Sequence, residues 1–153
     1  MIDPSLKGMG TTVSMVTLAR HMAFWGHVGD SRIYLYRDGE FKQISVDHTI
    51  VQVLLEKGKI TEEEAMDHPQ RHVLTRAVGV DENLVVDSGA FEVQPKDRIL
   101  ICSDGLTSFI QKQELYDAIG DYRRTEREII NDLFARVYEN GAKDNITAIL
   151  TTI

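Results

Sequence analysis

Three aspartates stand where a strand-like run meets a glycine or an asparagine: Asp30 in Gly29-Asp30-Ser31-Arg32, Asp104 in Cys102-Ser103-Asp104-Gly105, and Asp144 in Lys143-Asp144-Asn145. Strand ends bring distant residues together, and carboxylates gathered there would share a cation. Two carboxylates about 4 Å apart repel by roughly 4 kcal/mol at an effective dielectric of 20, so such a cluster requires a bound ion or a proton. Oxygen ligands without a His or Cys cluster favour a hard ion such as Mg2+ or Mn2+. Taken singly, each aspartate reads first as a turn or cap residue, because its side chain hydrogen-bonds the neighbouring backbone. His27, His48, His68 and His72 show no ligand spacing and read as packing or surface residues. Cys102 lies in an apolar run and reads as an inert core thiol.

The elements that must position these residues follow from hydrophobic periodicity. Strands are predicted over 11–20, 22–27, 32–37, 41–44, 85–93, 98–102 and 146–153. Arg37-Asp38-Gly39-Glu40 reads as a hairpin turn, since Asp-Gly supplies the positive φ of tight turns. Helices are predicted over 50–57, closed by Gly58, and after Thr61, whose capping box is completed by Glu64. Two short helices are expected over 107–110 and 113–119. The strongest helix begins at Thr125 with Glu128 and carries Ile129, Ile130, Leu133, Phe134, Val137 and Tyr138 at three- and four-residue spacing. Residues 69–79 lack a period and read as loop with a short helical turn. The fold class is therefore α+β, a layered sandwich of two mostly antiparallel sheets flanked by helices.

With 153 residues, one domain is expected. The 17 basic and 24 acidic side chains leave a net charge of −7, which argues against nucleic-acid or anionic-membrane binding. No apolar run approaches the roughly 20 residues of a membrane helix. A single cysteine and a start without a charged-then-apolar pattern point to a cytoplasmic location.

Taken together, the strings resemble the metal-dependent protein serine/threonine phosphatases, the type 2C or PPM family, in compact bacterial form. They are Gly8-Met9-Gly10-Thr11-Thr12, Val28-Gly29-Asp30-Ser31-Arg32, Asp47-His48, His68-Pro69-Gln70-Arg71, Leu74-Thr75-Arg76-Ala77-Val78-Gly79, Ile101-Cys102-Ser103-Asp104-Gly105-Leu106-Thr107 and Lys143-Asp144-Asn145-Ile146-Thr147. The resemblance covers nearly the whole chain. It implies that two Mn2+ or Mg2+ ions hold a water that attacks phosphoserine or phosphothreonine in a protein substrate. Asp104 and Asp144 would be ligands of the two-metal centre, and Asp30 with Asp104 would hold a third, weaker ion. Residues 47–72 match the flap beside the active site, where His48, Arg71 and Arg76 are candidates for substrate contact. A Ser/Thr kinase or its targets are the implied partners.

Two departures accompany the match. The family begins with strands carrying a phosphate-binding Arg, an acidic motif and an Asp that bridges both metals, and this sequence matches from just after that region; Asp3 lacks the strand and glycine context to replace it. Ser108 stands where many relatives have Asp or Asn. These departures raise the alternative of a catalytically inactive pseudophosphatase or phosphoprotein-binding module. Loss of strands from a sandwich also leaves open edges, from which homo-oligomer formation is expected.

Overall fold

The computed structural model describes residues 6–80, 83–142 and 144–153; Asp3 lies outside them. Strands β1 (Val13–Ala19), β2 (Met22–Val28) and β5 (Asp87–Glu92) form an antiparallel sheet in the order β1-β2-β5. A second sheet has the order β4-β3-β6-β7, built from β3 (Arg32–Arg37), β4 (Glu40–Gln43), β6 (Arg98–Cys102) and β7 (Ala148–Thr152). All pairings are antiparallel. Helices α1 (Ile50–Glu56) and α2 (Glu62–Met66) join the sheets, and α3 (Asp104–Thr107), α4 (Lys112–Ile119) and α5 (Glu126–Glu139) follow β6.

Local chemistry accounts for much of this. Asp38 (φ +49°) and Gly39 (φ +82°) turn β3 into β4 with Arg37 opposite Glu40, as the hairpin signal requires. Thr125 and Glu128 exchange both capping-box bonds at the start of α5, and Thr61 and Glu64 do so at α2. The β1–β2 connection is tighter than the sequence suggests. Arg20 adopts φ +56° in a two-residue turn, so β1 stops at Ala19.

The apolar residues sort into two layers. Ala23, Ile33 and Ile99, with Val16, Trp25, Leu35 and Phe91, fill the space between the sheets. Tyr34, Tyr36, Leu100 and Cys102 on the other face of the second sheet pack against Leu106, Leu115, Ile129, Leu133 and Val137 of the helices. Burial pushes the Cys102 thiol up to about 12, which keeps it protonated and unreactive. The outer face of the first sheet carries no such cover among the described residues: Met15 is 54% exposed and Phe24 49%.

Arg98 is buried without a carboxylate partner in the described structure, and its guanidinium donates instead to the carbonyls of Ile119 (2.7 Å), Asp121 (3.2 Å) and Arg124 (3.1 Å) while lying 4.3 Å from the centre of the Tyr122 ring. A cation at the end of α4 satisfies carbonyls that the helix leaves open. Arg98→Lys keeps the charge but loses the planar fork, so it is expected to lower unfolding free energy by about 1 kcal/mol, read by urea denaturation; an unchanged midpoint would contradict this role.

Several boundaries differ from the sequence reading: β1 begins at Val13 rather than residue 11, and β7 at Ala148 rather than residue 146. The helix placed at 107–110 instead spans Asp104–Thr107, so Asp104 itself sits in the first helical turn; apolar spacing over four residues could not place it. Residues 69–79, which lack a period, form loop with turns, tied by isolated bridges Thr49–Leu74 and Thr11–Val78. The strand expected from residue 85 begins at Asp87. No helix among the described residues is long and apolar enough to cross a membrane.

Candidate functional site

The motif strings separated along the sequence meet at one end of the sandwich. Thr11 and Val78 exchange backbone hydrogen bonds at 3.0 and 2.9 Å. Thr12 Oγ1 lies 2.8 Å from Ser31 Oγ. His48 N–H donates to Gly29 O at 2.7 Å, and Thr75 N–H donates to His48 O at 2.8 Å. At the end of β6, Ser103 N–H donates to Thr147 O at 2.9 Å, and Thr147 N–H donates to Ser103 Oγ at 3.1 Å. Those bonds hold the turn carrying Asp144 beside the strand end carrying Asp104.

Each of two aspartates is flanked by a glycine that cannot be enlarged. Gly29 has φ +110°, and a Cβ there would lie 2.3 Å from Thr12 Cγ2. A Cβ on Gly105 would lie 2.3 Å from Asn145 O. At Gly105 two chain segments therefore approach backbone to backbone, and at Gly29 the backbone lies against the Thr12 side chain.

Asp30 and Asp104 line one cleft of about 850 Å3. Burial, and then the charges of Asp104 and Asp47, push the Asp30 carboxyl up to about 6. Arg32 does not neutralise it, because its guanidinium is committed to Asp47: Nε lies 3.0 and 2.9 Å from the two carboxylate oxygens, and Nη2 lies 2.6 Å from Oδ2. The cleft thus holds a carboxylate pair short of positive charge, the electrostatic condition that a cation relieves. His72 Nδ1 stands 3.5 Å from Asp104 Oδ2; its spacing to Asp104 carries no sequence signal.

The remaining candidates separate. Asp144 is exposed and accepts the N–H of Asn145 at 2.7 Å on Oδ1. Among the described residues no three His, Cys, Asp or Glu side chains gather closely enough to hold a metal. Arg71 lines the cleft, whereas His48 and Arg76 do not. His48 is buried, and Arg76 Nη1 donates to Asp87 Oδ1 at 2.7 Å. In donor chemistry the Asp30 and Asp104 oxygens fit Mg2+ or Mn2+; in number they fit an ion that keeps several waters.

The family model described as Protein phosphatase 2C matches residues 3–151. The chain belongs to this family. Serine/threonine phosphatase stp of Listeria welshimeri is 37% identical over 148 residues, 97% of this chain and 58% of its own length. The chain thus spans less than two thirds of that curated relative. The crystal structure of the Mycobacterium tuberculosis serine/threonine phosphatase PstP/Ppp superposes with a TM-score of 0.92 at 36% identity, covering 99% of this chain and 63% of that one. The catalytic domain of PstP in complex with two manganese ions superposes with a TM-score of 0.85 at 34% identity, covering 97% and 60%. The two-sheet α+β sandwich expected from the sequence is the architecture of these phosphatases.

Proposed function

We propose that the protein takes part in metal-dependent hydrolysis of phosphoserine and phosphothreonine in proteins. The observation that carries this is the Asp30–Asp104 pair facing one cleft, with the Asp30 carboxyl held near 6 by burial and by Asp104. Mn2+ or Mg2+ bound there would lower the pKa of a coordinated water and offset the charge of the phosphoryl oxygens. In this reading Asp104 and Asp144 serve the two-metal centre, and Asp30 joins Asp104 at a third position. Arg71 offers the cleft a cation for a phosphorylated segment. Residues 47–72, with α1 and α2 along the cleft wall, form the flap that chooses among substrate sequences. Relatives named serine/threonine phosphatases support phosphoproteins as substrates. In this reading a Ser/Thr kinase or its targets are the partners in the cell.

The test is phosphate release from a phosphothreonine peptide with and without Mn2+. Turnover that needs Mn2+ and falls at least a hundredfold in Asp104→Asn is expected, since loss of a ligand charge weakens both metal binding and phosphoryl charge stabilisation. Peptide binding without turnover at any Mn2+ concentration would favour a phosphoprotein-binding module instead.

A further inference from the structure

His48 is 5% exposed and sits behind the cleft, and its contacts converge on the residue next to Asp30. Its backbone N–H donates to Gly29 O at 2.7 Å, and its ring Nδ1 accepts the Gly29 N–H at 3.2 Å. Both hydrogen-bonding groups of Gly29 therefore end on one residue. Gly29 needs that hold. It lies just past the end of β2, at φ +110°, pressed against Thr12, and its conformation sets the direction in which Asp30 leaves the strand.

The ring is fixed from its far side as well. Because Nδ1 accepts, the proton sits on Nε2, which faces Asp87 Oδ2 at 3.1 Å. Arg76 Nη1, 3.1 Å from the same nitrogen, directs its own proton to Asp87 Oδ1 at 2.7 Å. The His48 bond, followed by Arg76, holds the Asp87 carboxyl below the usual carboxylate range. The His27 ring packs beside His48 with centroids 4.9 Å apart. Histidine here is a bridge with one acceptor and one donor, spanning Gly29 and β5.

We propose that His48 is a positioning residue for Asp30: it clamps Gly29 through both backbone groups so that the Asp30 carboxylate stays in the cleft it shares with Asp104. This rests on the reading of Asp30 and Asp104 as cation ligands. Substrate has no access to His48, so its influence passes through Gly29, in the way that outer partners of metal ligands commonly act.

Two substitutions divide the bridge. In His48→Asn the side-chain oxygen falls near Nδ1 and keeps the Gly29 bond while losing Asp87. In His48→Gln the amide nitrogen falls near Nε2 and keeps Asp87 while losing Gly29. Mn2+ affinity measured by electron paramagnetic resonance is expected to drop about tenfold or more in the Gln variant and to stay within about threefold of the parent in the Asn variant. Hydrogen exchange at the Gly29 amide is expected to be slow in the parent and in His48→Asn, and fast in His48→Gln. Fast exchange in the parent overturns the proposal without any variant. Equal loss of Mn2+ in both variants, or parent-like Mn2+ affinity in the Gln variant while Asp104→Asn loses it, also overturns it. A parent that binds no Mn2+ overturns the ligand reading and this proposal together. The expected split in a protein that releases no phosphate would instead reject the phosphatase reading and leave the positioning role standing.

Discussion

Gly105→Ala is expected to lower the unfolding free energy by about 3 kcal/mol, the upper part of the range for forcing extra volume into a packed site. Gly105 is buried, and its added Cβ would meet the carbonyl oxygen of Asn145 at 2.3 Å and its carbon at 3.1 Å. Backbone is what must give, not the end of a flexible side chain. The turn carrying Asp144 is tied to Ser103 through Thr147, so pushing Asn145 away also parts the chain segments that hold Asp104 and Asp144. Gly58→Ala is the comparison: it has φ +60° with open space around it, and only the left-handed backbone penalty of about 1 kcal/mol applies. Urea unfolding of the two variants reads the difference. If Gly105→Ala unfolds within 1 kcal/mol of the parent, the close approach of these segments is not a structural requirement.

Asp30→Asn is expected to do the opposite at neutral pH and to stabilise the protein by about 2 kcal/mol. The folded carboxyl titrates at about 6, against 3.8 when unperturbed. A raised carboxyl pKa means that the folded chain binds the proton more tightly than the unfolded chain, so ionised Asp30 weakens the fold above pH 6. That penalty fades as pH falls from about 6 to about 4. At about 1.4 kcal/mol per unit the full shift is worth about 3 kcal/mol, reduced here for partial access to water. Denaturant unfolding of parent and variant between pH 4 and 8 should show curves that separate above pH 6 and merge near pH 4. His27, whose pKa is lowered by burial and then by His48, makes both proteins lose stability as pH falls below about 6.5, and this cancels in the comparison. Added Mn2+ should raise the parent's stability more than the variant's, because the ion relieves the repulsion that asparagine removes. A difference that stays constant with pH would show that the Asp30 charge is not the cause.

Asp30 is where stability and ligand binding pull apart at this end of the sandwich. The Asp30–Asp104 pair is electrostatically costly, and Arg32, two residues along the chain, is taken up by Asp47. Such uncompensated charge is characteristic of sites meant for a ligand.

Much of the fold was legible in the residues themselves. Asp38-Gly39 dictates its hairpin, Thr125 with Glu128 and Thr61 with Glu64 dictate their helix starts, and the Ile99–Cys102 run marks a strand buried between a sheet and helices. The Gly29-Asp30, Asp104-Gly105 and Asp144-Asn145 strings likewise identify the family, because each is a short chemical unit whose spacing within itself carries the information. Local signals were weakest where elements are short or exposed. The Asp104–Thr107 helix has too few residues to show a period, and Met15 and Phe24, apolar in type, face outward.

What only the tertiary structure decided concerns partners distant in sequence. Whether Asp30 meets Asp104, whether Arg76 is free to hold a phosphate or is committed to Asp87, and whether His48 faces substrate or grips Gly29 all depend on which strand ends lie together. Residue type sets what a side chain is able to bond. Burial and the neighbours supplied by chain segments far away set what it does bond, and neither is written in any local period of the sequence.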